Sequence, residues 1–221
     1  MRRNIKKTQS NRNRPSKGGA TTGTTSIGLT TAAGVIVASD MRVSIDGRFV
    51  LQKHSEKIKR IHDRAVVTLV GLIGSNQQFA RTLRSEAALY ETRRDSPMSI
   101  AALQELAATL SRRGPYRDIN PIIGGIDDDG PRVASVDPNG GVLSDEYVVT
   151  GSGMQLAYGS LEQHYERGLS AERGTRIATE AVRAAISRDT ASGGGVHVVQ
   201  ISDSEITERR ITDFDDASGP N

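Results

Sequence analysis

Strand-like and helix-like patterns follow one another along this chain in blocks, and that order restricts the fold more than any other feature. Ser26-Ile27-Gly28-Leu29-Thr30 alternates with period two, Ala32-Ala33-Gly34 reads as a turn, and Val35 to Ser39 reads as the partner strand. Ile58 to Ile61 and Ala65 to Leu69 suggest a second hairpin around His62-Asp63-Arg64, its second strand apolar enough to be buried on both faces. Two helices follow. Phe79, Leu83, Ala87 and Tyr90 recur at helical spacing behind Ser75, the expected N-cap, and Arg93-Arg94 sit where a helix C-terminus favours cations. Ile100, Leu103, Leu106 and Leu110 mark the second helix, which stops before Gly114-Pro115. Strands return at 121–126, 133–136 and 147–150, then two helices near 154–167 and 171–188, then strands near 196–201 and 205–211. A doubly wound parallel sheet needs one helix between successive strands. Hairpins separated by helix pairs instead imply an α+β fold: a four-layer αββα sandwich of two antiparallel sheets flanked by helix pairs.

Composition narrows the chemistry. The absence of Cys excludes disulfides, thiolate metal sites and a Cys nucleophile. His54, His62, His164 and His197 are scattered without ligand spacing, so no metal site is expected. The net charge of +3 describes neither part of the chain. Residues 1–23 carry seven Lys/Arg and no acid, so the remainder holds 22 basic against 26 acidic residues, a formal −4. A mildly acidic body argues against a nucleic-acid-binding domain, leaving the basic N-terminal arm as the place for that alternative. No apolar run approaches the roughly 18 residues that span a membrane, and the leader lacks the apolar region of a secretory signal. Residues 1–23 read as a disordered basic leader, 24–211 as the folded domain and 212–221 as an acidic tail.

At the junction stands Gly23-Thr24-Thr25-Ser26-Ile27-Gly28. It reads either as a Thr-rich loop or as a processing site. If the chain is cut after Gly23, Thr24 gains a free amine beside its own hydroxyl. An α-amino group has a pKa of about 7.7–8.0, so near neutrality it can serve as the base that a weak hydroxyl nucleophile needs. Asp40 ends the paired strand and Lys57 precedes the next one; they are either a surface pair or the charges that tune Thr24. By residue type, Lys53 and Lys59 compete with Lys57. Gly71 ends a buried strand, where a missing side chain lets a substrate approach the backbone N–H. Ser152, Asp189 and Ser192 lie in Gly-rich segments and suit either turn chemistry or bonding to a new amine.

Taken in order, Gly23 to Gly28, Asp40-Met41-Arg42, Lys57, Gly71, Gly124-Gly125-Ile126-Asp127, Thr150-Gly151-Ser152-Gly153 and Arg188 to Gly193 resemble the β-type subunit of the proteasome core particle, especially archaeal forms. The resemblance runs from Gly23 to about residue 201. It implies an N-terminal-nucleophile threonine endopeptidase that needs no cofactor, with 1–23 a propeptide removed by self-cleavage between Gly23 and Thr24. It also implies Thr24 as nucleophile, Asp40 and Lys57 as its tuning pair, Arg42 as a supporting residue and the Gly71 N–H as oxyanion donor. Ser152, Asp189 and Ser192 would hold the amine, and Val43, Leu69 and Ile73 would line an apolar substrate pocket. The implied partners are a homo-heptameric β ring, α-type rings, an ATPase unfoldase and unfolded polypeptides, in the cytoplasm. A non-catalytic ring subunit of the same fold is the alternative within the family.

Overall fold

The computed structural model describes residues 21–45, 47–116 and 118–212. Most of the leader and of the acidic tail therefore lie outside the described residues, as does Asp46, which by its Asp-Gly pairing with Gly47 is expected to mark a turn. In chain order the elements are β1 Thr21–Thr22, β2 Thr25–Thr31, β3 Gly34–Asp40, β4 Val43–Ile45, β5 Phe49–Gln52, β6 Ile58–His62, β7 Ala65–Thr68 and β8 Gly71–Leu72. Then come α1 Ile73–Arg94, α2 Ile100–Ser111, a 3-10 turn at Gly114–Tyr116, β9 Ile122–Asp127, β10 Gly130–Val136, β11 Val142–Asp145 and β12 Tyr147–Gly151. The chain closes with α3 Met154–His164, α4 Ala171–Ile186, β13 Val196–Ile201 and β14 Ile206–Ile211.

Two five-stranded antiparallel sheets form the centre. One has the order β12-β2-β3-β13-β14 and the other β11-β10-β9-β7-β6. Side-chain alternation divides the core among the layers. On β3, Ile36 and Ala38 face α3 and α4, where they meet Leu161, Ile177 and Ala181. Val35 and Val37 point the other way, into an inter-sheet layer with Val66, Ile122 and Val133. The outer face of the second sheet packs Val67 and Ile123 against Phe79, Leu83 and Leu103 of α1 and α2. That produces the expected αββα sandwich. A Cβ on Gly28 would meet Ile122 Cγ2 at 2.9 Å, so the sheets approach through a position that only glycine allows.

Several local expectations need correction. Helix α1 starts at Ile73, so Ser75 sits in its first turn and the N-cap position falls to Leu72, which makes no side-chain cap. Ser99 caps α2 by accepting from Ala102 N at 3.2 Å. The segment 43–57, polar and mixed in sequence, contains the β4–β5 hairpin, and β11 has no counterpart among the strands expected from the sequence. Short β1 pairs antiparallel with β8, in the register Thr21↔Leu72 and Thr22↔Gly71. This pairing lays the end of the leader along the start of α1.

Candidate active site

Neighbouring strands of the first sheet bring Thr24 and Asp40 together. Ser26 is opposite Ser39 in the β2–β3 register, so Thr24, just before β2, lies beside Asp40 at the end of β3. Lys57, just before β6 of the second sheet, reaches across from the other layer. All three are buried. Lys57 Nζ donates to Asp40 Oδ1 at 2.7 Å, to Thr24 Oγ1 at 3.1 Å and to the Gly23 carbonyl at 3.2 Å. Thr24 Oγ1 in turn donates to that carbonyl at 2.7 Å. Of the two readings open for them, the surface pair is excluded: Asp40 and Lys57 are a buried pair. Neither competing lysine joins it, because Lys53 is exposed and Lys59 pairs with Glu56 at 3.4 Å.

Burial pushes the Lys57 ammonium below the usual lysine range, and the adjacent Asp40 carboxylate opposes that shift. Burial also pushes the Asp40 carboxyl upward. Against it stand Lys57 and three backbone donors. Thr25 N reaches Oδ1 at 3.0 Å, and Arg42 N and Gly193 N reach Oδ2 at 3.0 and 2.9 Å. Four donors on two oxygens suit an ionised carboxylate, so Asp40 holds the negative charge, while burial makes it easier for Lys57 to give up a proton and then to accept one from the Thr24 hydroxyl.

A second group holds the other side of Thr24. Its backbone N donates to Ser152 Oγ at 3.2 Å, and Ser152 Oγ also lies 3.3 Å from the Thr24 carbonyl. Asp189 Oδ2 accepts from Ser152 Oγ and Ser192 Oγ, both at 2.6 Å, and Ser192 Oγ lies 2.8 Å from Thr25 Oγ1. Ser152, Asp189 and Ser192 therefore form one connected hydroxyl–carboxylate cluster at the Thr24 nitrogen. Arg42 donates to the Thr190 carbonyl at 3.2 Å, and its guanidinium lies where a Cβ on Gly193 would have to be.

Gly71 adopts φ +109, a conformation that side chains rarely take, and faces Thr22, two residues before Thr24. Val43, Leu69 and Ile73 line one cavity of about 170 Å³, which Lys57 also borders. Sequence reasoning missed Thr25, Gly193 and Ser44, whose hydroxyl donates to the Ala191 carbonyl at 3.3 Å. The first two act on Asp40 through backbone N–H groups, which every residue but proline carries, so side-chain identity gave no signal. Also missed was Asn76, a buried member of the cavity wall.

An αββα sandwich with a buried threonine hydroxyl, a lysine and a carboxylate meeting at the mouth of its two sheets is the architecture of N-terminal-nucleophile hydrolases. Comparison with known proteins is more specific. The family model described as "Proteasome subunit" matches residues 20–201. A Halorhabdus utahensis protein named proteasome subunit beta is 53% identical over 195 residues, covering 88% of this chain and 82% of its own. Proteasome subunit beta 2 of Haloterrigena turkmenica is 52% identical over 194 residues, with the same coverage, and its counterpart in Haloarcula marismortui is 50% identical over 196 residues, or 89% of this chain and 85% of its own. The chain belongs to the proteasome subunit family and is of its β type. Haloterrigena turkmenica also has a proteasome subunit beta 1, so paralogous β chains coexist among the relatives. Among the described residues no helix is long and apolar enough to cross a membrane.

Proposed function

We propose that this chain is a catalytic β subunit: a threonine endopeptidase made as a precursor, which frees its own nucleophile by cutting Gly23–Thr24. One observation carries this reading. The Thr24 hydroxyl lies 2.7 Å from the carbonyl oxygen of the bond to be cut, and Lys57 Nζ donates to both oxygens. In the uncut chain the Thr24 nitrogen is an amide and cannot act as a base. Thr24 Oγ attacks the Gly23 carbonyl carbon, its proton passing by way of Lys57, while the lysine stabilises the charge that develops on the carbonyl oxygen. Collapse breaks the Gly23–Thr24 C–N bond as Lys57 returns the proton to the departing nitrogen, which frees the Thr24 amine and leaves an ester between Gly23 and Thr24 Oγ. Water then hydrolyses the ester, releasing residues 1–23 with a new carboxylate on Gly23 and restoring the Thr24 hydroxyl beside its free amine.

That amine takes over as the base, held by Ser152, Asp189 and Ser192. A substrate strand takes the path that β1 occupies along Gly71-Leu72, adding to an exposed edge as extended peptides do. Thr24 Oγ attacks the scissile carbonyl, and its oxyanion meets the Gly71 N–H. The Thr24 amine passes the proton it took from Oγ to the nitrogen of the departing fragment, and water cleaves the acyl ester to restore Thr24. Val43, Leu69 and Ile73 favour an apolar side chain before the cut bond. Glu56 lies between Lys59 and Arg210, two cations to one carboxylate, which disfavours a basic side chain there.

The same reading places the chain in a homo-heptameric ring stacked on proteasome α-type subunits, fed with unfolded polypeptide by an ATPase ring in the cytoplasm. Hydrolysis of short fluorogenic peptides by the purified particle tests the chemistry. Peptides ending in an apolar residue are expected to be cut faster than those ending in Arg. Lys57→Gln and Asp40→Asn are each expected to lower kcat by at least about 10²-fold. Turnover at the wild-type rate in Lys57→Gln would refute the mechanism.

A further inference from the structure

Thr25 serves Asp40 through its backbone N–H, yet its side chain is committed as well. The hydroxyl lies 2.8 Å from Ser192 Oγ, and both residues are fully buried. The proton count fixes the direction of this bond. A carboxylate only accepts, and each hydroxyl has one proton to donate. Ser192 Oγ and Ser152 Oγ both donate to Asp189 Oδ2, at 2.6 Å, so Ser192 has no proton left for Thr25 and Thr25 Oγ1 is the donor. Two arms therefore meet on one carboxylate oxygen: the Thr24 N–H through Ser152, and the Thr25 hydroxyl through Ser192. The glycines on either side of Ser152 make room for both. A Cβ on Gly151 would stand 1.9 Å from the Thr24 carbonyl oxygen, and one on Gly153 would stand 2.1 Å from Thr25 Oγ1.

We infer that Thr25 is a positioning residue for the base: by donating to Ser192, its hydroxyl fixes the carboxylate oxygen that draws the Ser152 proton away from the Thr24 nitrogen. This rests on the peptidase reading above, in which the freed amine takes the proton of Thr24 Oγ. An amine does so through its lone pair, and a Ser152 hydroxyl turned toward it would occupy that pair. With its proton on Asp189, Ser152 accepts from the amine and leaves the pair open. Ser192 holds Asp189 Oδ2 from the other side, and Thr25 holds Ser192. The Thr25 N–H meanwhile reaches Asp40 Oδ1 at 3.0 Å, so the residue next to the nucleophile joins the amine-holding cluster to the lysine–carboxylate pair. Release of the leader makes a different demand. The Thr24 nitrogen is then an amide with no basic lone pair, and the proton passes by way of Lys57. Loss of the Thr25 hydroxyl therefore slows peptide turnover and spares leader release.

The test compares Thr25→Val and Thr25→Ser in assembled particles. Valine keeps the β-branched shape and the backbone N–H but lacks the hydroxyl, which serine retains. Thr25→Val is expected to lower kcat on short fluorogenic peptides by about tenfold, the effect of one hydrogen bond, with KM within about twofold of wild type. Its chains are expected to begin at Thr24, with the leader released at the wild-type rate in a pulse-chase. Thr25→Ser is expected to turn over within about twofold of wild type. In a Ser192→Ala background, adding Thr25→Val is expected to cost less than about twofold more, because the acceptor is already gone. A wild-type kcat in Thr25→Val overturns the inference. So do equal losses in the valine and serine variants, leader release slowed as much as turnover, or a full further loss in the Ser192→Ala background. Where valine blocks assembly, Thr25→Ala removes the same hydroxyl with less bulk and is read against the same outcomes. In each of these cases, peptide turnover by the wild type leaves the peptidase reading intact. If wild-type particles with a free Thr24 cleave no peptide, the peptidase reading fails and the role of Thr25 fails with it.

Discussion

At the residue scale, Gly23 is as constrained as the threonine it precedes. A Cβ on Gly23 would land on the Ala191 side chain, so glycine before the bond proposed to be cut is what lets the carbonyl sit 2.7 Å from Thr24 Oγ1. Gly23→Ala is expected to slow release of the leader by at least about tenfold, since small misplacements of reacting groups are costly. A pulse-chase followed by gel mobility measures this, and processing at the normal rate would show that the glycine is not needed for alignment. Residue type alone left Asp40, Lys57, Ser152, Asp189 and Ser192 open to bland readings, and the resemblance nominated them as a set; the structure joins their side chains around Thr24. The choice of Lys57 over Lys53 and Lys59 rested on resemblance, and the structure supplies the physical reason: only Lys57 is buried against Asp40. The contributions of Thr25 and Gly193 were hidden because a backbone N–H looks the same in every residue.

At the element scale, the two helix pairs and the strands of the two large sheets other than β11 were readable from periodicity because their buried faces repeat. The β4–β5 hairpin was not. In β5, Phe49, Val50 and Leu51 are all exposed, so that strand has no buried face to impose alternation, and β4 is only three residues long. Strand β11 lies at a sheet edge and is largely exposed, which removes the same signal. Helix starts depend on one hydrogen bond, and two serines make the difference measurable. Ser99 caps α2, whereas Ser75 lies inside the first turn of α1. Ser99→Ala is expected to cost about 1 kcal/mol, and Ser75→Ala to stay within about 0.5 kcal/mol. Urea unfolding of the two variants compares them directly, and equal losses would contradict the assigned caps.

At the scale of the whole molecule, the basic leader and the acidic body meet at one bond, and the body depends on histidines kept neutral. Burial pushes both His62 and His197 below the ordinary histidine range, with Glu91 opposing the shift at His62 and Glu208, 3.2 Å away, opposing it at His197. Between the lowered folded values and about 6.5, the unfolded chain binds more protons than the folded one. Stability therefore falls as pH drops below about 6.5, and is fully present above it. The urea midpoint is expected to be lower at pH 5.5 than at pH 7.5, and His197→Gln is expected to reduce that difference. An unchanged slope in the variant would remove His197 from the account.

The central claim is that Thr24 cuts the bond before itself and then serves as the nucleophile. Intact mass and N-terminal sequence of wild-type and Thr24→Ala chains, purified from assembled particles, test it most directly. The wild type is expected to begin at Thr24, and the variant to keep residues 1–23 and hydrolyse no peptide. A Thr24→Ala chain that is cut after Gly23 and remains active would contradict the claim, as would a wild-type chain that retains its leader in particles that hydrolyse peptides.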